Sequence, residues 1–403
     1  MNLLLINKFF WRKGGSEAVY FGEMDLLKEH GHQVIPFSMQ NELNFPSEYS
    51  KYFVSNIDYD NAGLKEKLTA AGRIIYSVEA KQKIEQLLQD HKIDIAHFHI
   101  FQHQISPSVF GPLKKAGVPL VLTLHDFKPI CPNYLMYTNG HICEECKGRK
   151  FYNCVLNSCT KNSPFKSLIN MLEMYFHYLM GYYKHVDRYI AVSEFYRQKM
   201  IEFGFPPEQI TLIPNFIEVE RFQYADQDEG YGLYFGRLSH EKGLDTLLKA
   251  CAITQDIPMV ITGTGPAGKE LQQKANDLGL KHVTFTGYKS GQDLIDLLKN
   301  ASFTVLPSEW YENCPMSILE SLAVGTPVIG SRSGGIPELI NEGEDGFTFK
   351  TGNAEDLADK MKKLWACAKR RREMGMNGTK KIASQYTPDI HYQSLAKVYA
   401  ELT

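Results

Sequence analysis

The stretch "LPSEWYENCPMSILESLAVGTPVI", Leu306–Ile329, contains most of a strand–helix–strand unit. An apolar run ends at Leu306, a polar loop follows, and apolar residues recur at helical spacing from Ile318 to Val324. A second apolar run begins at Pro327. Two strands joined by a helix run parallel, because the helix returns the chain to the end where the first strand began. This stretch therefore predicts a parallel sheet covered by helices.

The same alternation of apolar runs and helical patterns extends through both halves of the chain. It predicts two Rossmann-like α/β domains with strand ends facing a central cleft. Predicted strands lie at 3–7, 34–38, 95–99, 120–126, 188–193, 231–238, 258–263, 283–287, 302–307 and 327–331. A polar, turn-rich segment at 213–232 separates the two series. We predict domains at 1–212 and 213–385, and a C-terminal helix at 386–403 that packs back on the first domain.

Composition narrows the class of protein. The 403 residues carry a net charge of −2, which excludes a global polycation for nucleic acid. The segment 146–199 differs from the rest of the chain, because its net charge is about +6. This charge predicts either a solvated basic face or a surface for anionic lipid headgroups. No apolar run reaches 18 residues, so we expect a cytoplasmic protein, peripheral on the inner membrane face at most, with reduced thiols.

Two loops carry charged residues suited to a phosphorylated sugar. Arg237 and Lys242 lie between a strand and a helix that begins near Gly243, and a helix N-terminus with two cations suits a diphosphate. Asn313 is predicted to cap the next such helix. Glu312 would then lie at the helix mouth and Glu320 inside it, where carboxylates accept hydrogen bonds from vicinal hydroxyls.

A glycine loop and a cysteine segment keep other functions open. Gly263, Gly265 and Gly268 match a dinucleotide fingerprint, but Pro266 removes one N–H and no acid follows for a ribose, so a tight turn is favoured. Five cysteines occupy an insertion at about 127–163. Their C-x(2)-C and C-x(4)-C spacing predicts a structural zinc site, with free thiols or disulfides as alternatives; Cys131 is interpreted as standing apart. The predicted ligands are Cys143, Cys146, Cys154 and Cys159.

Taken in order, these elements resemble the retaining glycosyltransferases of family 4, which have the GT-B fold. Glu312 and Glu320 are similar to that family's pair of acids with seven residues between them, and "GRLSHEKG" is similar to its diphosphate clamp. "KGGSE" (13–17), "TLHD" (123–126), "AVSE" (191–194) and "GTPVIGSRSGGIPELI" (325–340) resemble further landmarks. The resemblance covers nearly the whole chain and is weakest over 127–185.

The resemblance implies a role for each matching residue. Catalytic roles fall to His125, Arg237, Lys242 and Glu312. The donor would contact Gly14, Gly15, Arg237, Lys242, Tyr288, Glu312, Asn313, Cys314, Pro315, Met316 and Glu320. The acceptor side would include Glu17, His99 and Asp126. The implied reaction needs no cofactor or metal, and the donor's own phosphate would accept the acceptor's proton.

The implied partners are an NDP-sugar, with UDP or GDP favoured, and a glycan or lipid-linked acceptor in cell-surface polysaccharide biosynthesis. Aromatic residues and methionines recur at helical spacing over 163–187, as core packing or as a face against a membrane. Two other functions stay open. One is an NAD(P)-dependent oxidoreductase using the 263–268 loop, and the other is a nucleic-acid-binding protein built on a zinc loop.

Overall fold

A computed structural model describes residues 1–57, 71–224 and 228–403. The chain forms two compact units. Unit 1 comprises Met1–Asn139, Cys143–Ile213 and His391–Thr403, and unit 2 comprises Gly140–Ile142 and Pro214–Ile390.

Unit 1 is built on a parallel sheet of six strands in the order β2-β1-β3-β4-β7-β8. Leu3, Leu4, Leu5 and Ile6 of the first strand are fully buried, because helices and loops cover both faces of a parallel sheet. The order reverses between β1 and β3, where ligands bind in such sheets. The strands are β1 (Asn2–Ile6), β2 (Gln33–Phe37), β3 (Ile95–Phe98), β4 (Leu120–Leu124), β5 (Tyr137–Thr138), β7 (Arg188–Ala191) and β8 (Ile210–Leu212); β5 lies outside this sheet. Strand β6 (His141–Ile142) belongs to unit 2.

Within the described residues, helices connect these strands, and the last helix of the chain completes the core. They are α1 (Gly15–Glu29), α2 (Val78–Asp90), α3 (Phe110–Lys115), α4 (Asn153–Leu156), α5 (Pro164–Leu179) and α6 (Glu194–Glu202). The final helix, α13 (Pro388–Leu402), places Leu395, Val398 and Tyr399 in the core cluster that holds Leu3 and Leu5. Burial of these three side chains ties the C-terminus to unit 1.

Unit 2 has a second parallel six-stranded sheet, in the order β11-β10-β9-β12-β13-β14. This is the order of a dinucleotide-binding Rossmann sheet, and it reverses between β9 and β12. The strands are β9 (Gly232–Phe235), β10 (Met259–Thr262), β11 (Val283–Gly287), β12 (Phe303–Leu306), β13 (Val328–Ser331) and β14 (Gly346–Phe349). The helices are α7 (Leu244–Ile253), α8 (Gly268–Asp277), α9 (Gly291–Asn300), α10 (Met316–Val324), α11 (Ala354–Trp365) and α12 (Ala368–Gln385).

Candidate functional site

Two loops of unit 2 meet where its strand order reverses. Strands β9 and β12 are neighbours, and each is followed by one of the predicted donor loops. Lys242, after β9, places Nζ 2.6 Å from Oε1 of Glu312, after β12. The structure thus brings together two predicted site residues at the position where Rossmann sheets bind phosphorylated ligands.

Glu312 is held as a buried carboxylate. Its Oε1 also accepts hydrogen bonds from Ser308 Oγ at 2.6 Å and from Trp310 Nε1 at 2.8 Å. Burial by itself favours the neutral acid, but Lys242 and these donors outweigh burial and hold the pKa of Glu312 below its ordinary value. Glu312 is therefore ionised and fixed in place, as a residue that orients hydroxyl groups needs to be.

Arg237 is held more loosely. Its side chain is 55% exposed and pairs with Glu241, which also accepts from Ser239 Oγ at 2.7 Å. An exposed pair of this kind contributes little to stability, so the guanidinium can exchange Glu241 for an anionic ligand at low cost.

Glycines explain how these loops approach one another. Gly243 has φ +70°, and a Cβ there would lie 1.9 Å from the carbonyl oxygen of Pro307. Gly263 is equally constrained: its φ is +137° and a Cβ would lie 1.9 Å from the Gly236 carbonyl oxygen. The loop at 263–268 therefore needs glycine because it packs against the backbone of the Arg237 loop. The glycines are explained by a tight turn, as the sequence favours, and a dinucleotide fingerprint is not needed to explain them.

Helix α10 begins later than the sequence predicts. Its N-cap is Pro315, with no side-chain capping bond, so the prediction that Asn313 caps this helix is wrong. Proline disfavours helical dihedrals at the residue before it, so Cys314 ends the loop instead of opening the helix. Predicted contact residues Asn313 to Met316 consequently line a loop and a helix start.

Glu320 and Tyr288 occupy contrasting positions in unit 2. Glu320 lies in the second turn of α10 and is half-buried. Burial raises the pKa of Glu320 to about 7, with Arg221 acting in the opposite direction. Tyr288, predicted to border the base, follows β11 and is 71% exposed.

In unit 1, the predicted acceptor-side residues follow β1, β3 and β4. Exposed Gly14 and Gly15 begin α1, and Glu17 is buried in its first turn. His99, after β3, accepts or donates a hydrogen bond of 2.9 Å between its Nδ1 and Nε2 of His125, after β4. The two rings stack with centroids 5.1 Å apart. His99 and His125 also line one pocket with Asp126.

Asp126 belongs to a second, half-buried charged group that the sequence did not reveal. Burial raises the pKa of Asp126 and lowers that of Lys8, and the two charges act on each other. Asp126 Oδ1 accepts from the Lys128 amide at 3.0 Å, and its carbonyl oxygen accepts from the Tyr196 hydroxyl. These contacts fix the loop after His125. Lys8 could have been noticed as a cation directly after a buried strand.

Five thiols of unit 1 line one small cavity. Its lining includes the four predicted zinc ligands and Cys131, so the interpretation of Cys131 as standing apart is wrong. Cys131 is brought in because its loop turns back, with its amide donating to the Phe127 carbonyl at 2.8 Å. The lining cysteines are Cys131, Cys143, Cys146, Cys154 and Cys159.

The spacing of these sulfurs is wider than that of a bound metal site. Among the described residues, the ligand atoms found within 4.8 Å of one another in groups of three or more are those of Glu23, His97 and His99, not the thiols. Tetrahedral zinc with Zn–S bonds of about 2.3 Å needs sulfurs about 3.8 Å apart. The thiols would have to draw together around an ion.

Comparison with known proteins identifies the family. The Glycosyltransferase Family 4 model matches residues 13–221, and the model for glycosyl transferases group 1 matches residues 216–381. An uncharacterised glycosyltransferase of Methanocaldococcus jannaschii is 24% identical over all of this chain and 99% of its own length. The amylovoran biosynthesis glycosyltransferase AmsK of Erwinia amylovora is 27% identical over 53% of this chain and 56% of its own.

A solved structure agrees with the fold. Anabaena HepE, in complex with UDP and glucose, aligns over the full length of both chains with a TM-score of 0.69 at 17% identity. The predicted GT-B fold class is confirmed. With one family model spanning more than half of its residues, the chain belongs to Glycosyltransferase Family 4.

Proposed function

We propose that the protein is a retaining glycosyltransferase that moves a sugar from a nucleoside diphosphate sugar to a glycan or lipid-linked acceptor in polysaccharide biosynthesis. The 2.6 Å contact between Lys242 and Glu312 at the switch point of unit 2 carries the proposal. It puts a cation suited to a diphosphate beside a fixed carboxylate suited to sugar hydroxyls. Family membership disfavours the oxidoreductase and nucleic-acid alternatives, and the glycine loop has a packing explanation.

The proposed reaction needs no metal or added base. The bond between the sugar's anomeric carbon and the diphosphate oxygen breaks, and its electron pair leaves with the diphosphate. The acceptor oxygen bonds to the anomeric carbon on the same face, and its proton passes to the leaving phosphate. Arg237 and Lys242 stabilise the charge on the diphosphate, which is the main electrostatic contribution. Glu312 orients the sugar, and Glu320 accepts from the ribose.

A binding panel tests this function. Calorimetry with UDP-, GDP- and ADP-sugars should find one nucleotide that binds the wild type, and HepE, which was solved with UDP, makes UDP the first choice. Arg237→Ala should weaken that binding and lower turnover strongly. Lys249→Ala, which removes an exposed cation from α7, is the matched control and should behave as wild type. Absence of binding by every sugar nucleotide at millimolar concentration would contradict the proposal.

We also propose that the thiol cavity holds a structural zinc ion. Hydrogen bonds from Cys154 and Thr138 lower the pKa of Cys159 to about 7, which favours one thiolate at neutral pH. Cys146 packs with Phe151 and Met174 in a small apolar cluster. Four thiolates would leave zinc no open position for water, so the ion would order the 131–159 segment and take no part in the reaction.

The protein is further proposed to rest on an anionic membrane surface through α5. The polar face of this amphipathic helix is buried and its apolar face is exposed, the reverse of an ordinary surface helix. The buried polar residues are Ser167, Asn170, Glu173 and His177. Its outer face is apolar and exposed, with Leu179 at 86%. The exposed residues of this outer face are Phe165, Leu168, Leu172, Tyr175, Leu179 and Met180.

Two inward polar residues of α5 have partners in the protein, and these contacts explain the orientation of the helix. Glu173 Oε2 lies 2.6 Å from Lys128 Nζ, and both side chains are almost fully buried. Asn170 Nδ2 donates to Thr160 Oγ1 at 3.0 Å. Turning the helix over would remove Glu173 from Lys128 and leave the lysine charge buried without its partner.

Charge around the outer face suits lipid headgroups. Between residues 147 and 186 the only acid is the buried Glu173, whereas the cations there are exposed. They are Lys147, Arg149, Lys150, Lys161, Lys166 and Lys184. No helix among the described residues is long and apolar enough to cross a bilayer. An apolar face with a cationic border lies at an interface, and this site would bring a lipid-linked acceptor within reach.

A further inference from the structure

A buried network in unit 1 links helix α1 to the predicted catalytic histidine. Glu23, in the third turn of α1, has its side chain 1% exposed. Its Oε1 lies 2.9 Å from His97 Nδ1 and 3.4 Å from His99 Nε2, and its Oε2 lies 3.2 Å from His391 Nε2 of α13. His99 continues to His125 through the 2.9 Å contact between Nδ1 and Nε2. Three histidines from β3, the residue after it and α13 thus contact one carboxylate of α1, and His99 extends the network to the residue after β4.

The network carries a defined charge. Burial alone would favour a neutral Glu23, but the charges of His97 and His99 and hydrogen bonds from His391 and His97 hold the pKa of Glu23 well below the ordinary value. Burial lowers the pKa of His99 and of His125, and the neighbouring histidines lower it further at His125. At neutral pH, Glu23 is therefore a carboxylate, and His99 and His125 are neutral rings.

This charge state selects one arrangement of protons. A carboxylate only accepts, so His99 carries its proton on Nε2, towards Glu23. Nδ1 of His99 is then an acceptor, and His125 donates to it from Nε2. A neutral His125 with its proton on Nε2 presents a lone pair on Nδ1. Glu23 thus determines, through His99, which nitrogen of His125 can accept a hydrogen bond.

The contact between Glu23 and His99 is needed by both partners. Glu23 Oε1 and His99 Nε2 lie 3.4 Å apart, and neither atom has a well-aligned hydrogen bond within the described residues. Attraction between the carboxylate and the ring N–H at this distance offsets part of the cost of burying both polar groups, and it makes their relative placement selective.

A metal ion fits this group less well than protons do. Glu23, His97 and His99 lie close enough for a metal, but both nitrogens of His97 already meet hydroxyl groups at 2.7 Å. Those hydroxyls belong to Tyr399, on Nδ1, and Thr123, on Nε2. A ligand nitrogen needs its lone pair directed at the metal, and here both directions are occupied.

We propose that Glu23 is a positioning residue for catalysis: through His99 it orients the ring of His125, with Nδ1 as the acceptor for a hydroxyl of the sugar substrates. This inference rests on the proposed function, because it assigns His125 a sugar hydroxyl as its partner. It adds a residue, Glu23, that none of the sequence motifs contains.

Glu23→Gln and His99→Gln test the relay in the full-length protein with the sugar nucleotide that the binding panel identifies. Both should lower kcat roughly ten- to hundredfold, the effect of losing a hydrogen bond to a charged group, with the donor KM within about threefold of wild type. The nucleotide's affinity, measured by calorimetry, should be unchanged, because the predicted phosphate cations are in unit 2. Glu79→Gln is the matched control. Glu79 accepts from Ser55 at 2.7 Å and pairs with Arg73, apart from the histidines.

The pH profile separates positioning from a merely structural role. The groups acting on His125 are His97 from β3, His99 directly after β3, Glu23 from α1 and His391 from α13. Of these groups, the Glu23 carboxylate favours the protonated forms of His99 and His125 and so raises the pKa of both. Removing it lowers the pKa of both rings further, so the acidic limb of kcat/KM should move to lower pH in Glu23→Gln. A variant that only destabilises the fold would lose activity without moving that limb.

Three results would overturn the relay. One is a Glu23→Gln enzyme with wild-type kcat and an unmoved acidic limb, while the wild type turns over a sugar nucleotide. Another is a stoichiometric metal ion that the wild type holds and Glu23→Gln loses. The third is failure of the wild type to bind any sugar nucleotide. That result contradicts the proposed function as well, and so is distinguishable from the first two.

Discussion

Lys242 Nζ lies 2.6 Å from Glu312 Oε1, although 70 positions separate the two residues. The lysine side chain is 18% exposed and the carboxylate side chain is 9% exposed. Because the two charges are in contact, a diphosphate that binds beside Lys242 would change the electrostatic surroundings of the carboxylate that orients the sugar.

Removing the lysine should affect stability as well as turnover. Lys242→Met leaves Glu312 buried without its cation, so the pKa of Glu312 should rise and the free energy of unfolding at pH 7 should fall by about 3–5 kcal/mol. Glu312 has a lowered pKa, so its contribution is present above pH 4.5 and is lost as pH falls. The difference from wild type should therefore shrink in acid. Urea unfolding at pH 7 and pH 4 measures it, and equal stability at pH 7 would contradict the ion pair.

Glu320→Gln should stabilise the protein at alkaline pH. A pKa of about 7 in the folded state exceeds the unfolded value near 4.5, so wild-type stability falls as pH rises from about 4.5 through 7. The amide avoids that loss, and the free energy of unfolding at pH 8 should exceed wild type by about 2 kcal/mol, with little difference at pH 4. Glu373→Gln on α12 is the exposed control. A pH-independent difference would show that Glu320 does not titrate near 7. Nucleotide affinity should fall in Glu320→Gln if this carboxylate holds the ribose.

The thiol cavity predicts bound zinc. Elemental analysis of protein grown with zinc should find about one ion per chain. Cys143→Ser and Cys154→Ser should lose it and unfold at lower temperature, because metal binding and folding of such a segment are coupled. Cys131→Ser decides whether the fifth thiol is a ligand. Exposed Cys367→Ser should keep the full zinc content. Less than a tenth of an equivalent of zinc in the wild type would contradict the site.

The outer face of α5 predicts binding to vesicles that contain anionic lipid. Leu172→Glu with Leu179→Glu should reduce cosedimentation with phosphatidylglycerol vesicles at least tenfold, since each buried leucine contributes about 2 kcal/mol. Leu43→Glu replaces an equally apolar, 65% exposed residue of unit 1 and is the control. Binding should weaken with salt and be poor on neutral phosphatidylcholine. Unchanged sedimentation of the double variant, or loss of a dimer in its place, would contradict membrane docking.

The site residues of unit 2 could be predicted from the sequence, whereas Glu23 of unit 1 could not. Arg237, Lys242 and Glu312 could be predicted because each follows a strand within its own strand–loop–helix unit. Glu23 could not, because on the helical pattern of α1 it is one polar residue among several, and its histidine partners are about 75 or more positions away. The predicted cap at Asn313 was wrong because Pro315 disfavours helical dihedrals at Cys314. This backbone constraint outweighed the preference of an asparagine side chain for the cap position.

The amino-acid sequence by itself determined the alternating strands and helices, the family motifs and the chemistry each loop can offer, because these depend on side chains a few positions apart. Tertiary structure decided which of those loops became neighbours. Strand order put β9 beside β12 and so Lys242 beside Glu312. Packing of α13 into unit 1 brought His391 to Glu23, and buried partners turned the apolar face of α5 outward. Such contacts join residues far apart in the chain, so only the folded arrangement can specify them.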